Sequence, residues 1–285
     1  MATFNVTNSN DSGSGSLREA VQLANGEVGT DTILLETDVN LSSAIEITDS
    51  LYLGTPYGAT ITQTGAGRIF TIDDSDRETN INVDLFRLSL VGGNSVVEGG
   101  AIYNAENLRI VDSHIYDNFA SIKGGAIYNT NGNLYISSSI IEENQVNNGF
   151  YASTMGGGLY VNSGNTIINS SIVKGNRAIE GSSIAIAQNA EVATYNTTFD
   201  NDFTKGSVSI RNSRLEMSNS IIKGNALISE YKIIDDWRSE LVFDELTIDT
   251  GYNYQDNYFA TVEESFGCSA ETQLRELTNN TEPFA

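Results

Sequence analysis

The chain has 285 residues, 37 of them acidic and 15 basic, and its formal net charge at pH 7 is −22. This charge argues against nucleic-acid binding, which depends on Lys and Arg neutralising phosphates, and against binding to anionic lipid. The single cysteine, Cys268, excludes an intramolecular disulfide and a cysteine-based zinc cluster. No apolar stretch of 18 residues predicts a membrane-spanning helix.

The first 30 residues predict a short strand followed by a helix. Residues 3–7 fit the strand, and a turn rich in Gly and Ser follows it. Ser16 and Glu19 then form a capping box, which marks the start of a helix. The apolar residues on one face of this helix are Leu17, Ala20, Val21 and Ala24. We expect residues 16–25 to cover the open end of the repeat structure described below, with packing against its side as the alternative.

Residues 32–92 contain short apolar segments that predict irregular early turns of that structure, and an acidic loop lies between two of them. Its carboxylates Asp73, Asp74 and Asp76 are the candidate ligands of a Ca²⁺ ion, which needs several converging oxygens. The Gly and the distal Glu of an EF-hand are missing, so an ordinary solvated loop is the preferred interpretation. We expect no cofactor, and keep Ca²⁺ at this loop as the alternative.

Two short patterns recur along residues 89–225. Gly-Gly-Ala-Ile-Tyr-Asn occurs at 99–104 and 124–129, with a variant at 156–161. The second pattern is Ser or Thr, any residue, an apolar residue, any two residues, and then Asn or Asp. Its copies, about 25 residues apart, are 89–94, 113–118, 139–144, 171–176, 197–202 and 220–225. Such a period predicts a solenoid.

Within each repeat, apolar residues alternate with polar ones over three to five positions, which indicates short half-buried strands. We therefore predict an all-β fold, a single-stranded right-handed parallel β-helix with an N-terminal helical cap. The predicted interior residues are Leu108, Ile110, Ile115, Leu134, Ile136, Ile141, Ile168 and Val173. One residue type at the same point of each turn predicts a hydrogen-bonded column, made of Asn94, Asn118, Asn144, Asn176 and Asn225.

The predicted organisation is a strand and capping helix over 1–30, the β-helix over 31–250, and a C-terminal cap or tail over 251–285. Residues 228–234 and 240–248 fit terminal turns, with Trp237 in the connection between them. About seven extra residues lie within 145–155, where a long loop would carry Phe150 and Tyr151 as candidate contacts for a ligand or partner. His114, the only histidine, is expected on the surface rather than in a Ser–His–Asp triad with Asp112 or Asp117.

Residues 7–21, which include Ser16-Leu17-Arg18-Glu19-Ala20, resemble the N-terminal segment named after its Cys-Ser-Leu-Arg-Glu-Ala-Ile motif. Gly15 and Val21 stand where that motif has Cys and Ile. The segment leads bacterial, often cyanobacterial, surface β-helix proteins. The Gly-Gly-Ala-Ile and aliphatic-x-x-Asn repeats are similar to those of chlamydial polymorphic outer membrane proteins. The resemblance implies a secreted or surface adhesive β-helix, and it implies no catalytic residue.

Three functions follow as expectations: a non-catalytic adhesive or structural surface protein, a polysaccharide lyase or glycoside hydrolase, and a structural subunit of a larger assembly. The first is preferred, since no convergent pair of carboxylates and no column of basic residues is recognisable. We expect an extracellular or cell-surface location reached without an N-terminal signal peptide, with the cytoplasm as the alternative. The partner would be a glycan or another surface protein, and the oligomeric state is left open.

Tyr103, Tyr128 and Tyr160 occupy the same place in three successive turns, each directly after an aliphatic residue. Strand alternation predicts that these tyrosines stand outside, stacked ~4.8 Å apart. Sugar rings pack on aromatic surfaces, so this column is a candidate glycan contact. The alternatives are a purely structural aromatic column and a reversed phase with the tyrosines in the core.

Overall fold

The computed structural model describes residues 1–76, 78–95, 97–147, 154–201, 206–224, 228–230, 240–244 and 247–249. Over these ranges it is a parallel β-solenoid of about eight turns with ~26 residues per turn, and one short helix near the N terminus. The predicted fold class is therefore confirmed. Phe150, Tyr151 and residues 251–285, for which a loop tip and a cap or tail were predicted, lie outside the described residues.

The strands in chain order are β1 (Thr3–Val6), β2 (Asp31–Leu35), β3 (Val39–Leu41), β4 (Ile45–Ile47), β5 (Leu51–Gln63), β6 (Phe70–Ile72), β7 (Asn82–Val91), β8 (Asn94–Ser95), β9 (Ile102–Asn104), β10 (Asn107–Val111), β11 (His114–Tyr116), β12 (Phe119–Ala120), β13 (Ile127–Asn129), β14 (Leu134–Ser137), β15 (Ile140–Glu142), β16 (Gln145–Val146), β17 (Leu159–Val161), β18 (Asn165–Asn169), β19 (Ile172–Lys174), β20 (Ile184–Ile186), β21 (Glu191–Tyr195), β22 (Thr198–Asn201), β23 (Val208–Ile210), β24 (Arg214–Ser218), β25 (Ile221–Gly224), β26 (Ile228–Glu230), β27 (Glu240–Asp244) and β28 (Thr247–Asp249). The last three fall on the segments 228–234 and 240–248 predicted as terminal turns, and β28 ends one residue beyond the second.

Each strand pairs in parallel with its equivalent one turn away. A 17-stranded sheet forms two faces that meet at a corner, and the long strands β5 and β7 pass through that corner. In later turns the corner separates β10 from β11 and β14 from β15. An eight-stranded sheet, β4-β6-β9-β13-β17-β20-β23-β26, makes the third face, and a small sheet of β8, β12 and β16 lies on a further edge.

The helix α1 (Leu17–Ala24) begins where the capping box predicts. The Ser16 side chain accepts a hydrogen bond from the backbone N–H of Glu19 at 3.2 Å. The Glu19 carboxylate accepts one from the backbone N–H of Gly15 at 2.7 Å. The helix contacts β1, β2 and β4, the first strands of two faces. Four of its five apolar residues are buried in the same core as the first turns, and the fifth, Leu23, is 51 % exposed. No helix in the described ranges is long and apolar enough to cross a membrane.

The central core is a stack of aliphatic columns. Ile110 pairs with Ile136, and Ile136 with Ile168, in three consecutive turns. All the predicted interior residues are at most 2 % exposed: Leu108, Ile110, Ile115, Leu134, Ile136, Ile141, Ile168 and Val173. The inward phase of the repeat is therefore confirmed. Apolar side chains fill these columns because a charged group, or a polar group without a partner, would lose its hydration in the interior.

A buried asparagine column runs along one corner of the solenoid. The Nδ2 of Asn118 donates to the Oδ1 of Asn144 at 2.9 Å, and the Nδ2 of Asn144 donates to the Oδ1 of Asn176 at 2.9 Å. The backbone N–H groups of Asn118 and Asn144 donate to the same oxygens, at 3.0 and 2.9 Å. Each side chain thus satisfies the turn above it, as predicted.

The first predicted member of that column is wrong. His114 pairs with Ser89, so the equivalent of Asn118 is Gly93 rather than Asn94. The backbone N–H of Gly93 donates to the Oδ1 of Asn118 at 2.8 Å, whereas Asn94 is exposed in β8. The copy at 89–94 is out of register by one residue, since the segment equivalent to 113–118 is 88–93. Asn225, the last predicted member, lies outside the described residues.

Candidate functional site

The tyrosine column exists as predicted in register and stacking. Tyr103 pairs with Tyr128, and Tyr128 with Tyr160, on the third face. Their ring centroids are 5.5 and 5.4 Å apart, and the rings lie within 11° and 2° of parallel. The rings belong to an apolar cluster separate from the central core that holds Ile102, Ile127 and Leu159. The tyrosines therefore point away from the core, and the reversed phase is wrong.

The expected exposed aromatic strip is not formed. Tyr128 and Tyr160 are only 7 % and 3 % exposed, and Tyr103 is half-buried. Met155 packs in the same cluster. The Nζ of Lys123 lies 4.5 Å from the ring centroid of Tyr160. Chain segments at the glycine-rich corner thus cover rings that strand alternation alone would leave in water.

Charges flank this covered column at its first ring. The guanidinium carbon of Arg68 lies 5.0 Å from the ring centroid of Tyr103, a cation–π contact. Burial raises the pKa of the Tyr128 hydroxyl, and the negative charge of Glu98 raises it further. The hydroxyl of Tyr128 is therefore neutral at any physiological pH. The stacked rings therefore stabilise the packing of successive turns. Glycan contact through the column stays a prediction, and of the three rings only Tyr103 is partly exposed to a ligand.

The acidic loop brings together a different trio from the predicted one. Carboxylate oxygens of Asp73, Asp74 and Glu106 lie within 4.8 Å of one another. Asp76 is outside this group, and its oxygens accept from the backbone N–H of Glu78 at 2.9 Å and from the Thr79 hydroxyl at 2.9 Å. Sequence reasoning missed Glu106 because it lies in the next turn, more than 30 residues along the chain.

Glu106 has a structural role that competes with metal binding. It is 2 % exposed, and its two oxygens accept from the backbone N–H groups of Asp74 at 3.3 Å and of Ile81 at 3.1 Å. Burial raises the pKa of its carboxyl group. Ca²⁺ usually takes six to eight oxygens, and this trio offers three carboxylates. The predicted Ca²⁺ site stays a prediction, with Glu106 rather than Asp76 beside Asp73 and Asp74.

A groove lies at the corner where β5 and β7 bend. Gly54 pairs with Phe86 and Ala59 with Leu88, so residues 55–58 stand opposite the single residue Arg87. Within the described residues, each later turn makes this corner with one residue in the left-handed conformation, at φ between 46° and 54°. These corner residues are Arg87, Asp112, Ser138, Ser170, Asn196 and Asn219. Relative to these later turns, residues 55–58 therefore contain three extra residues that project from the edge.

The groove between this insertion and the next two turns is open and has a volume of about 370 Å³. Its lining residues are Pro56, Tyr57, Gly58, Arg87, Leu88, Ser89, Asp112 and His114. The Nη1 of Arg87 donates to the carbonyl oxygen of Pro56 at 3.0 Å. The Nε of Arg87 lies 3.7 Å from the Oδ2 of Asp112. Arg87 thus links the inserted loop to the turn below it.

His114 forms the far wall of the groove and is the first member of a series of polar side-chain contacts across three turns. Its Nε2 is 2.7 Å from the Oε1 of Glu142, whose Oε2 is 2.9 Å from the Nζ of Lys174. Lys174, and then His114, hold the pKa of the Glu142 carboxyl below its usual range, against the effect of burial. The side chain of His114 is 35 % exposed, as expected for a surface residue.

This arrangement is not a Ser–His–Asp triad. Ser89 faces His114 in the strand ladder, but within the described ranges its hydroxyl makes no hydrogen bond to the imidazole. The carboxylate that His114 contacts is Glu142, not Asp112 or Asp117. A nucleophilic serine needs the base within hydrogen-bond reach, and Ser89 and His114 do not meet that requirement here.

Comparison of the chain with models of protein families, with curated proteins and with solved structures finds no match. The repeat, the side-chain columns and the groove are therefore the basis for assigning a function.

Proposed function

We propose that this chain is a non-catalytic β-helix protein of the cell surface or extracellular space, with an adhesive or structural role. The observation that carries this is the use of its repeated side chains. Asparagines, tyrosines and aliphatic residues at equivalent positions contact one another and so stabilise the stacking of one turn on the next. Such a body is a stiff lateral surface for contact with a glycan or another surface protein.

The described residues offer little to a lyase or hydrolase. A glycoside hydrolase needs two carboxyl groups about 5–10 Å apart that both face the substrate. Among the close carboxylates, Glu106 is buried and both of its oxygens accept backbone hydrogen bonds. A lyase needs a basic group free to take a proton, and Lys174 is instead paired with Glu142 at 2.9 Å.

The N-terminal resemblance supports the surface location, and the structure gives the motif residues physical roles. Ser16 caps α1. Arg18 donates to the Oδ1 of Asp11 at 2.7 Å and to the carbonyl oxygens of Ser43 at 2.8 Å and Ala44 at 2.9 Å. These bonds tie the helix to the first turn, which suits a segment that begins a β-helix in surface proteins of the cyanobacterial type.

The location is tested with antibodies against the purified chain, applied to intact source cells and to permeabilised ones. We expect labelling, or release into the medium, without permeabilisation. Labelling confined to permeabilised cells would contradict a surface role. In parallel, release of reducing ends or unsaturated products from common polysaccharides should not exceed a heat-treated control, and steady release would assign an enzyme instead.

A further inference from the structure

We propose, building on the glycan-contacting role above, that the groove at the β5–β7 corner binds a neutral pyranose ring of an oligosaccharide. Tyr57 would provide the stacking surface, and Arg87 and Asp112 would bind vicinal hydroxyls. The glycan contact would then lie at one corner of the solenoid and not at the covered tyrosine column.

Tyr57 is presented as an exposed ring on a held turn. It is 96 % exposed, whereas Tyr128, at a repeat position of the third face, is 7 % exposed. The backbone N–H of Tyr57 donates to the hydroxyl of the buried Thr55 at 3.3 Å, and Gly58 turns the chain at φ 90°. A flat aromatic face with a hydroxyl at its edge suits the C–H face of a sugar and one of its hydroxyl groups.

Arg87 occupies a backbone conformation that is unfavourable for it. Its φ is 54°, in the left-handed region that Asn, Asp and Gly tolerate better than a long side chain. Three of the equivalent corner residues, Asp112, Asn196 and Asn219, are of the tolerated types. Strain of this kind is retained where the side chain is needed, and here the guanidinium holds the loop and faces the groove.

The polar groups of the groove have capacity to spare. The Nε of Arg87 and the Oδ2 of Asp112 are 3.7 Å apart, too far for a good hydrogen bond, and their side chains are 46 % and 40 % exposed. A guanidinium donates and a carboxylate accepts, so together they match two adjacent hydroxyl groups. Across the described part of the chain, neither the carboxylate of Asp112, whose backbone N–H donates to Ser137, nor the Nδ1 of His114 makes a hydrogen bond.

The charge of the groove decides between neutral and acidic sugars. Arg87 and Asp112 cancel, while the whole chain carries −22 and repels polyanions. A uronate would add a negative charge beside Asp112. We therefore assign the site to neutral hexoses or pentoses.

The test is a glycan array of neutral and acidic oligosaccharides probed with the full chain. A neutral oligosaccharide retained on the array is then titrated into the protein by calorimetry. We expect retention of at least one neutral glycan. Tyr57→Ala and Asp112→Asn should each weaken binding by about tenfold or more, which corresponds to the loss of one good contact. Both changes lie at exposed positions and should leave the far-ultraviolet β signal intact.

The controls are Asp117→Asn, matched to Asp112→Asn, and Tyr195→Ala, at a half-buried tyrosine that does not line the groove. Asp117 is an exposed carboxylate in the same turn as Asp112 with nearly the same φ, 51° against 50°, but it lies at another corner. Neither control should change the affinity. The assignment is overturned if no neutral glycan is retained, if acidic glycans alone bind, or if Tyr57→Ala and Asp112→Asn bind like the parent. Those results leave the surface labelling untouched, whereas an intracellular location would remove the proposed function whatever the groove binds.

Discussion

Tyr128 and Tyr57 both point away from the central core, yet one is 7 % and the other 96 % exposed. Tyr128 belongs to a position that recurs in the turns above and below, so equivalent rings sandwich it. Tyr57 lies in residues 55–58, which stand opposite the single residue Arg87, whereas the later described turns make this corner with one left-handed residue each. In a parallel solenoid, neighbouring turns and corner segments decide whether an outward side chain meets solvent, and strand alternation does not decide it alone.

The same contrast separates stability from recognition. Repeat positions are fixed by two neighbours each, so a change there is felt in three turns. The insertion is fixed at its base by the buried Thr55 and by the Arg87–Pro56 hydrogen bond, and its residues 56–58 are exposed. Substitutions in the repeats should therefore cost stability, and substitutions in the insertion should cost binding.

The severest change in the repeats is Ile136→Asp. Ile136 is 0 % exposed between Ile110 and Ile168, and a carboxylate there would have no partner. We expect a loss of more than about 4 kcal/mol in the free energy of unfolding. Urea denaturation followed by circular dichroism measures it. Ser137→Asp, one residue on and pointing outward, is the control and should lose under about 1 kcal/mol. Equal midpoints for Ile136→Asp and the parent would show that the register is wrong.

The two tyrosines allow a direct comparison. Tyr128→Ala removes the middle ring of a stack and leaves a cavity, so we expect a loss of about 3 kcal/mol. Tyr57→Ala removes an exposed ring and should change stability by less than about 0.5 kcal/mol. Thermal unfolding of both variants beside the parent measures the difference. A similar shift of the unfolding midpoint for both variants would mean that the tyrosine column does not stabilise the fold.

Asn144→Ala tests the polar column. The change removes the acceptor of the backbone N–H and Nδ2 groups of Asn118, both of which are buried. Buried donors left without acceptors should cost about 2–3 kcal/mol in the free energy of unfolding. The control is Asn133→Ala, because Asn133 is exposed and donates to Asn107 at 2.8 Å on the surface. Asn133→Ala should lose less than about 0.5 kcal/mol. An equal loss in the free energy of unfolding for both variants would contradict a stabilising role of the buried column.

The smallest effect is expected at the surface chain through Glu142. Its lowered pKa, caused first by Lys174 and then by His114, means that its ionised form stabilises the fold. That contribution is present above the ordinary pKa of 4.5 and is lost as the pH falls through the lower folded value. Glu142→Gln should therefore cost about 0.5–1 kcal/mol at pH 7, and less as the pH falls below about 4.5.

Unfolding midpoints of the Glu142→Gln variant and the parent between pH 2 and 7 provide this measurement. Glu143→Gln, at an exposed neighbouring corner, serves as the control and should show no such convergence. A difference between Glu142→Gln and the parent that stays constant down to pH 2 would rule out the ion pairs as its source.

Much of the fold could be predicted because the same pattern of apolar, polar and turn-forming residues recurs in each turn. Alternation placed Leu108 and Ile110 inside, the capping box placed α1, and recurring asparagines predicted the column of Asn118, Asn144 and Asn176. The Asn94 position failed because a pattern match tolerates a slip of one residue. The strand ladder does not, since a slip turns every side chain to the other face.

The sequence by itself determined the period, the strand phase and the residue types that stack. Tertiary structure alone decided which of them meet solvent or each other: the cover over Tyr128 and Tyr160, the meeting of Glu106 with Asp73 and Asp74, and the groove between Tyr57 and His114. The reason is physical. Contacts in this fold join residues about one turn apart along the chain, and insertions of a few residues at a corner set which of them come together.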